Sequence, residues 1–93
     1  MTTAIIFHET RSGDLWAEAW RKGKASRHEM FARQGVKART FRDPKNPDSS
    51  GLILEIPDMA KFQTWLASDE VKRAMQEDGL KLETMRLLVE FSP

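Results

Sequence analysis

The stretch Ser50–Met75, SSGLILEIPDMAKFQTWLASDEVKRAM, decides the fold, because a short apolar run turns through Pro57-Asp58 into a helical pattern. In Gly51–Ile56 alternation puts Leu52, Leu54 and Ile56 on one face and Ile53 and Glu55 on the other, which is the signature of a strand. Pro57 has no amide hydrogen for a sheet ladder and ends it. Asp58 is placed to cap the helix that follows, and Met59, Phe62, Trp65 and Leu66 recur at three- and four-residue spacing. Ser68 offers a second cap with Asp69 and Glu70 in its first turn, so the helix is expected to bend or restart there and run on through Val71, Ala74 and Met75 to Gly79.

Working outward, Thr3–Glu9 reads as a first strand, with Ile6 and His8 on one face and Ile5, Phe7 and Glu9 on the other. Ser12-Gly13-Asp14 forms a turn and cap, after which Leu15, Trp16, Ala19, Trp20, Met30 and Phe31 predict one helix over roughly Asp14–Gln34, weakened at Gly23 and closed by Gly35. Val36–Arg42 is a second strand, and Asp43–Ser49, DPKNPDS, has the turn chemistry of a hairpin loop. Glu83–Phe91 alternates as a last strand, with Met85, Leu87, Val89 and Phe91 opposed to Arg86, Leu88 and Glu90.

The order β-α-β-β-α-β in a single domain of 93 residues predicts an α+β, ferredoxin-like fold: a four-stranded antiparallel sheet with two helices on one face. The uncovered face is expected to carry Ile53, Leu88 and Ile6 beside Glu55, Arg86, Glu90 and His8. Such a mixture is poorly served by water and too charged for a dry core, so two sheets are expected to pair face to face.

Fifteen basic and fourteen acidic residues argue against a nucleic-acid or membrane surface, and the basic run Trp20–Lys24, WRKGK, is read as a solvated helix face. The absence of cysteine removes disulfides, thiolate nucleophiles and cysteine-ligated metals, and fits a cytoplasmic protein. The first ten residues, MTTAIIFHET, have no basic region and too short an apolar run for a signal peptide or a membrane span. Isolated glycines and the lack of a GxSxG elbow point away from nucleotide cofactors and serine hydrolysis.

The element order together with LEIPDMAKFQTWLASDEVKRAM resembles the dimeric α/β-barrel superfamily, which includes antibiotic-biosynthesis monooxygenase-like and stress-responsive barrel proteins. The resemblance covers nearly the whole chain. It implies a homodimer with a pocket between sheet and helices or inside the barrel, in a superfamily that hosts cofactor-free oxygenases, haem-degrading enzymes, isomerases, cyclases and proteins with no assigned reaction. Phe62–Ser68 is similar to the FxxWxxS segment of the superfamily's haem-degrading members, whose tryptophan packs on porphyrin. The histidine that binds iron there falls on Met75 here, and the strand-one asparagine has no match, so haem ranks third.

His8 and His28 are the only histidines and lack metal-ligand spacing; His28, in a charged stretch, is expected at the surface. His8, Glu55 and Arg86 form the candidate catalytic set: a carboxylate orients the imidazole as a general base, and the guanidinium stabilises the oxyanion formed from a phenol or a carbon acid. The same groups equally satisfy one another as a barrel-lining ion pair. Trp16, Trp20, Ile53, Phe62, Trp65 and Leu88 are the candidate walls for a small aromatic or lipophilic ligand; Trp16 and Trp20 are equally fit to be core, and Phe62 and Trp65, at helical spacing, fit the core better than a ligand site. Two functions follow: a cofactor-free monooxygenase-like enzyme, or a non-enzymatic binding module whose sheet face makes the dimer.

Overall fold

The computed structural model describes residues 1–21, 23 and 26–92. The elements run β1 (Thr2–Thr10), α1 (Gly13–Trp20), α2 (Arg27–Ala32), β2 (Lys37–Arg42), β3 (Ser49–Ile56), α3 (Met59–Leu66), α4 (Asp69–Glu77) and β4 (Leu80–Val89). The four strands form one antiparallel sheet in the order β2-β3-β1-β4. This is the ferredoxin-like plan expected from the sequence.

Each expected helix is a broken pair. Asp58 accepts the amide of Lys61 at 3.1 Å to start α3, and Ser68 accepts that of Val71 at 3.4 Å to start α4, as the cap residues predict. The single helix expected over 14–34 is corrected to α1 and α2. Arg21 leaves the helix in an extended conformation, and Ser26 opens α2 by accepting the amide of Glu29 at 3.2 Å. Ser26-Arg27-His28-Glu29 has the capping-box spacing, so local hydrogen bonding favours a new start over continuation. Of the basic run Trp20–Lys24, Lys22 and Lys24 lie outside the described residues, while Arg21 pairs with Glu18 at 3.0 Å in solvent. Gly35 ends α2 with φ of +73°, and Val36, fully buried, follows it into the core.

The cross-strand register fixes the faces. Ala4, Ile6 and His8 oppose Leu54, Leu52 and Ser50 on the helix-covered side, while Thr3, Ile5 and Phe7 oppose Glu55, Ile53 and Gly51 on the open side. The expectation for Ile6 and His8 is therefore reversed. Alternation specifies which residues travel together but not which set faces the core. Ile6 packs with Leu52, Leu54, Ile56, Trp16, Trp20, Phe31 and Phe62, and burying that set outweighs burying Ile5 and Phe7. Val71, Ala74 and Met30 form a smaller cluster between α2 and α4. The last strand begins earlier than expected, because Gly79, at φ of +75°, turns the chain directly from α4 into β4. Phe91, expected on the core side, lies past the strand and is 80% exposed.

Candidate functional site

His8 stands at the centre of the helix-covered side and is 4% exposed. Its Nδ1 lies 3.0 Å from Ser50 Oγ, the residue directly opposite on β3, and its ring meets the indole of Trp16 edge-on with centroids 5.5 Å apart. Trp16 continues into an aromatic row: Trp20 at 6.1 Å, Phe31 at 5.1 Å beyond it, then Trp65 at 5.0 Å. One-turn spacing on α1 and packing across to α2 and α3 make this row from sequence-distant residues.

A cavity of about 30 Å³ opens beside His8. Trp16, Trp20, Met30, Met75 and Met85 are among its walls, with Arg27 and Asp78 at its edge. That volume holds one or two waters, so a larger guest requires the walls to move. Three methionines make such movement inexpensive, since the thioether chain is unbranched and repacks readily. Trp16 Nε1 is buried with no hydrogen-bond partner among the described residues, an uncommitted donor in a largely apolar site. Burial pushes the His8 pKa below its ordinary value; a contact with its own backbone carbonyl and the charge of Asp78 oppose this and are smaller. The imidazole is therefore neutral at pH 7.

The sheet does not bring the catalytic trio together. Glu55 and Arg86 lie on the open face, across the sheet from His8. Nor do they meet each other: Glu55 is opposite Thr3 and Arg86 opposite Phe7, four residues or ~13 Å further along β1. Glu55 instead accepts a hydrogen bond from Thr3 Oγ1 at 2.9 Å. Ile53 and Leu88 flank Ile5 on the same open face, beside exposed Phe7 and Phe41. Trp16 and Trp20 do wall the interior cavity, whereas Phe62 and Trp65 pack around Phe31 in the core and do not line it. His28 is half-buried rather than at the surface, its Nδ1 lying 2.7 Å from the Trp20 carbonyl.

Sequence reasoning missed Arg27 and Asp78. Arg27 grips Asp78 through Nε to Oδ2 and Nη2 to Oδ1, both 2.8 Å, and reaches Glu77 at 3.3 Å. These bonds raise the pKa of Arg27 further. Neither residue carries a local motif; only the fold brings α2 against the end of α4. For haem, Met75 stands at the cavity wall, but the cavity as closed here is far too small for a porphyrin, and the residues do not fit that group. Among the described residues no cluster of three or more His, Cys, Asp or Glu could hold a metal ion, and no helix is long and apolar enough to cross a membrane.

An antiparallel sheet covered on one side by helix pairs, with a pocket between the layers, defines the ferredoxin-like α+β class. Within it, solved structures narrow the likeness. A crystal structure of an antibiotic biosynthesis monooxygenase superposes with a TM-score of 0.72 at 16% identity, covering 100% of this chain and 99% of that one. A candidate antibiotic biosynthesis monooxygenase from Nitrosomonas europaea gives 0.70 at 12% identity, covering 99% and 98%. No family model and no curated protein matches the sequence. The chain thus has the fold of the antibiotic biosynthesis monooxygenase proteins, as the residues of 50–75 suggested.

Proposed function

We propose that this protein is a homodimer joined through its open sheet faces, and that each subunit binds a small, partly aromatic molecule between sheet and helices for cofactor-free, monooxygenase-like chemistry. The observation that carries this reading is His8: a neutral imidazole, closed off from water, in the wall of an apolar cavity. With Nδ1 engaged by Ser50, Nε2 is the nitrogen left to take a proton. A phenol hydroxyl giving that proton keeps the electron pair on oxygen, and the resulting phenolate is electron-rich enough to react with dioxygen directly. Trp16 and Trp20 supply flat walls, and the methionines make room.

The dimer is supported by the open face, where Ile5, Phe7, Phe41 and Leu88 are exposed around half-buried Ile53. Such a patch on a small domain gains from being covered. Glu55 and Arg86 belong to this face, so their role in the reading is in the interface.

The test is oxygen consumption with a panel of electron-rich phenols, in the native chain and in His8→Ala. Consumption by the native protein should fall about 100-fold or more in the variant while the two-chain mass is retained. Undiminished consumption by His8→Ala removes the proposed base. The small resting volume of the cavity favours a second reading, a non-enzymatic binding module, and saturable binding of phenols without oxygen uptake would establish it.

A further inference from the structure

The interior cavity and the protein surface are separated by a wall one side chain thick. Arg27, Met30 and Ala74 line the cavity on their inner side and, on their outer side, a groove of about 320 Å³ between α2 and α4. Arg27 and Asp78, the ion pair of that wall, retain 17% and 7% side-chain exposure. We infer that Arg27 and Asp78 form a charge-selective closure of the interior site, which admits uncharged aromatic molecules between α2 and α4 and turns carboxylates away. This rests on the interior-site reading above.

The selectivity follows from charge accounting at the closure. One edge of the Arg27 guanidinium, Nε and Nη2, is spent on Asp78, and Nη2 also reaches Glu77, so one guanidinium is met by two carboxylates while Nη1 faces Met30. His8, the other titratable group on the cavity wall, is neutral and adds no cation. Arg33 and Arg73 line the outer groove with Glu70 but not the cavity. A carboxylate arriving from solvent must therefore shed its water, find among the described residues of the cavity wall no cation that a carboxylate does not already meet, and either sit beside Asp78 or displace it into an unpaired buried state. An uncharged ring meets none of these penalties. Its passage shifts Met30, whose sulfur receives a long contact of 3.9 Å from Arg27 Nη1.

Two ligands of matched shape and opposite charge status test this: p-xylene and p-toluate, titrated into ¹⁵N-labelled protein while the tryptophan indole N–H signals are followed. The native chain should bind p-xylene at least about tenfold more tightly than p-toluate. Asp78→Asn frees the Arg27 charge and should improve p-toluate by about tenfold or more, with p-xylene changed by less than about threefold. The double variant Arg27→Gln with Asp78→Asn keeps a hydrogen-bonded neutral pair and supplies no cation, so p-toluate should stay excluded. Equal affinity for the two ligands in the native chain overturns the closure, as does continued exclusion of p-toluate by Asp78→Asn or its admission by the double variant. In all three cases bound p-xylene leaves the interior site standing. If neither ligand binds, the interior site falls, and the closure with it.

Discussion

Ser50 Oγ lies 3.0 Å from His8 Nδ1, and the two residues face each other directly across β3 and β1 under the helices. The hydroxyl both satisfies a buried ring nitrogen and fixes which nitrogen is free. Ser50→Ala leaves Nδ1 unpartnered where water is nearly excluded, which should cost about 1–3 kcal/mol. Urea unfolding would read this, and an unshifted midpoint would show that the contact contributes nothing.

The neutrality of His8 has a pH signature. Its folded pKa lies below the unfolded value of 6.5, so the unfolded chain takes up the proton first as pH falls. The contribution is fully present above about pH 6.5, is lost as pH drops toward the folded pKa, and levels off below it. Native stability should therefore decline below pH 6.5 at up to ~1.4 kcal/mol per pH unit from this group. Comparing denaturation at pH 7 and pH 5 in the native chain and in His8→Gln isolates it: the variant should show the shallower slope, and parallel slopes would assign the loss to other groups.

Gly51 lies on β3 opposite Phe7 of β1. A Cβ built there would come within 2.6 Å of the Ile6 carbonyl oxygen, a backbone atom that the sheet ladder holds in place. Gly51→Ala should destabilise by about 1–3 kcal/mol, the range of an overpacked core, although alanine is the smallest possible addition. Thermal unfolding measures it, and a melting temperature equal to that of the native chain would mean that β1 and β3 separate freely at this point.

Phe7 is 48% exposed on the open face, so its removal takes little from the isolated subunit. Phe7→Glu should yield a folded monomer, since two carboxylates would be buried against the opposing sheet in a face-to-face dimer. Sedimentation equilibrium with a circular dichroism control gives the answer. A two-chain mass that survives the substitution would move the interface elsewhere.

Most of the architecture is legible from local chemistry. The strand-to-helix turn at Pro57-Asp58, the restart at Ser68 and the cap at Gly35 each depend on a few neighbouring residues, and each is found where the sequence puts it. The Ser26 cap that opens α2, with Glu29 three residues on, was equally present in the sequence, masked by the apolar periodicity that runs through Trp20 to Phe31. The orientation of β1 was not legible. Ile5 and Phe7 are as apolar as Ile6, and only the tertiary gain of placing Ile6 against Trp16, Trp20 and Leu52 settles the face. Once β1 turns over, His8 parts from Glu55 and Arg86. Arg27 and Asp78 lie fifty-one residues apart, and no local rule joins them.

At the edges of the sheet, β4 is distorted where it meets the end of β1: Phe7 is opposite Arg86 but Glu9 is opposite Lys81, so β4 carries three extra residues. Thr84 stitches this bulge, its hydroxyl accepting the Glu9 amide at 2.9 Å and donating to the Lys81 carbonyl at 2.6 Å. The opposite border, β2, presents exposed Lys37, Arg39 and Arg42. A bulged border on one side and a cationic one on the other deny a flat template to an incoming strand. Chains that meet in solution are thereby steered away from open-ended, edge-to-edge ribbons, which leaves the open sheet face free for the proposed pairing.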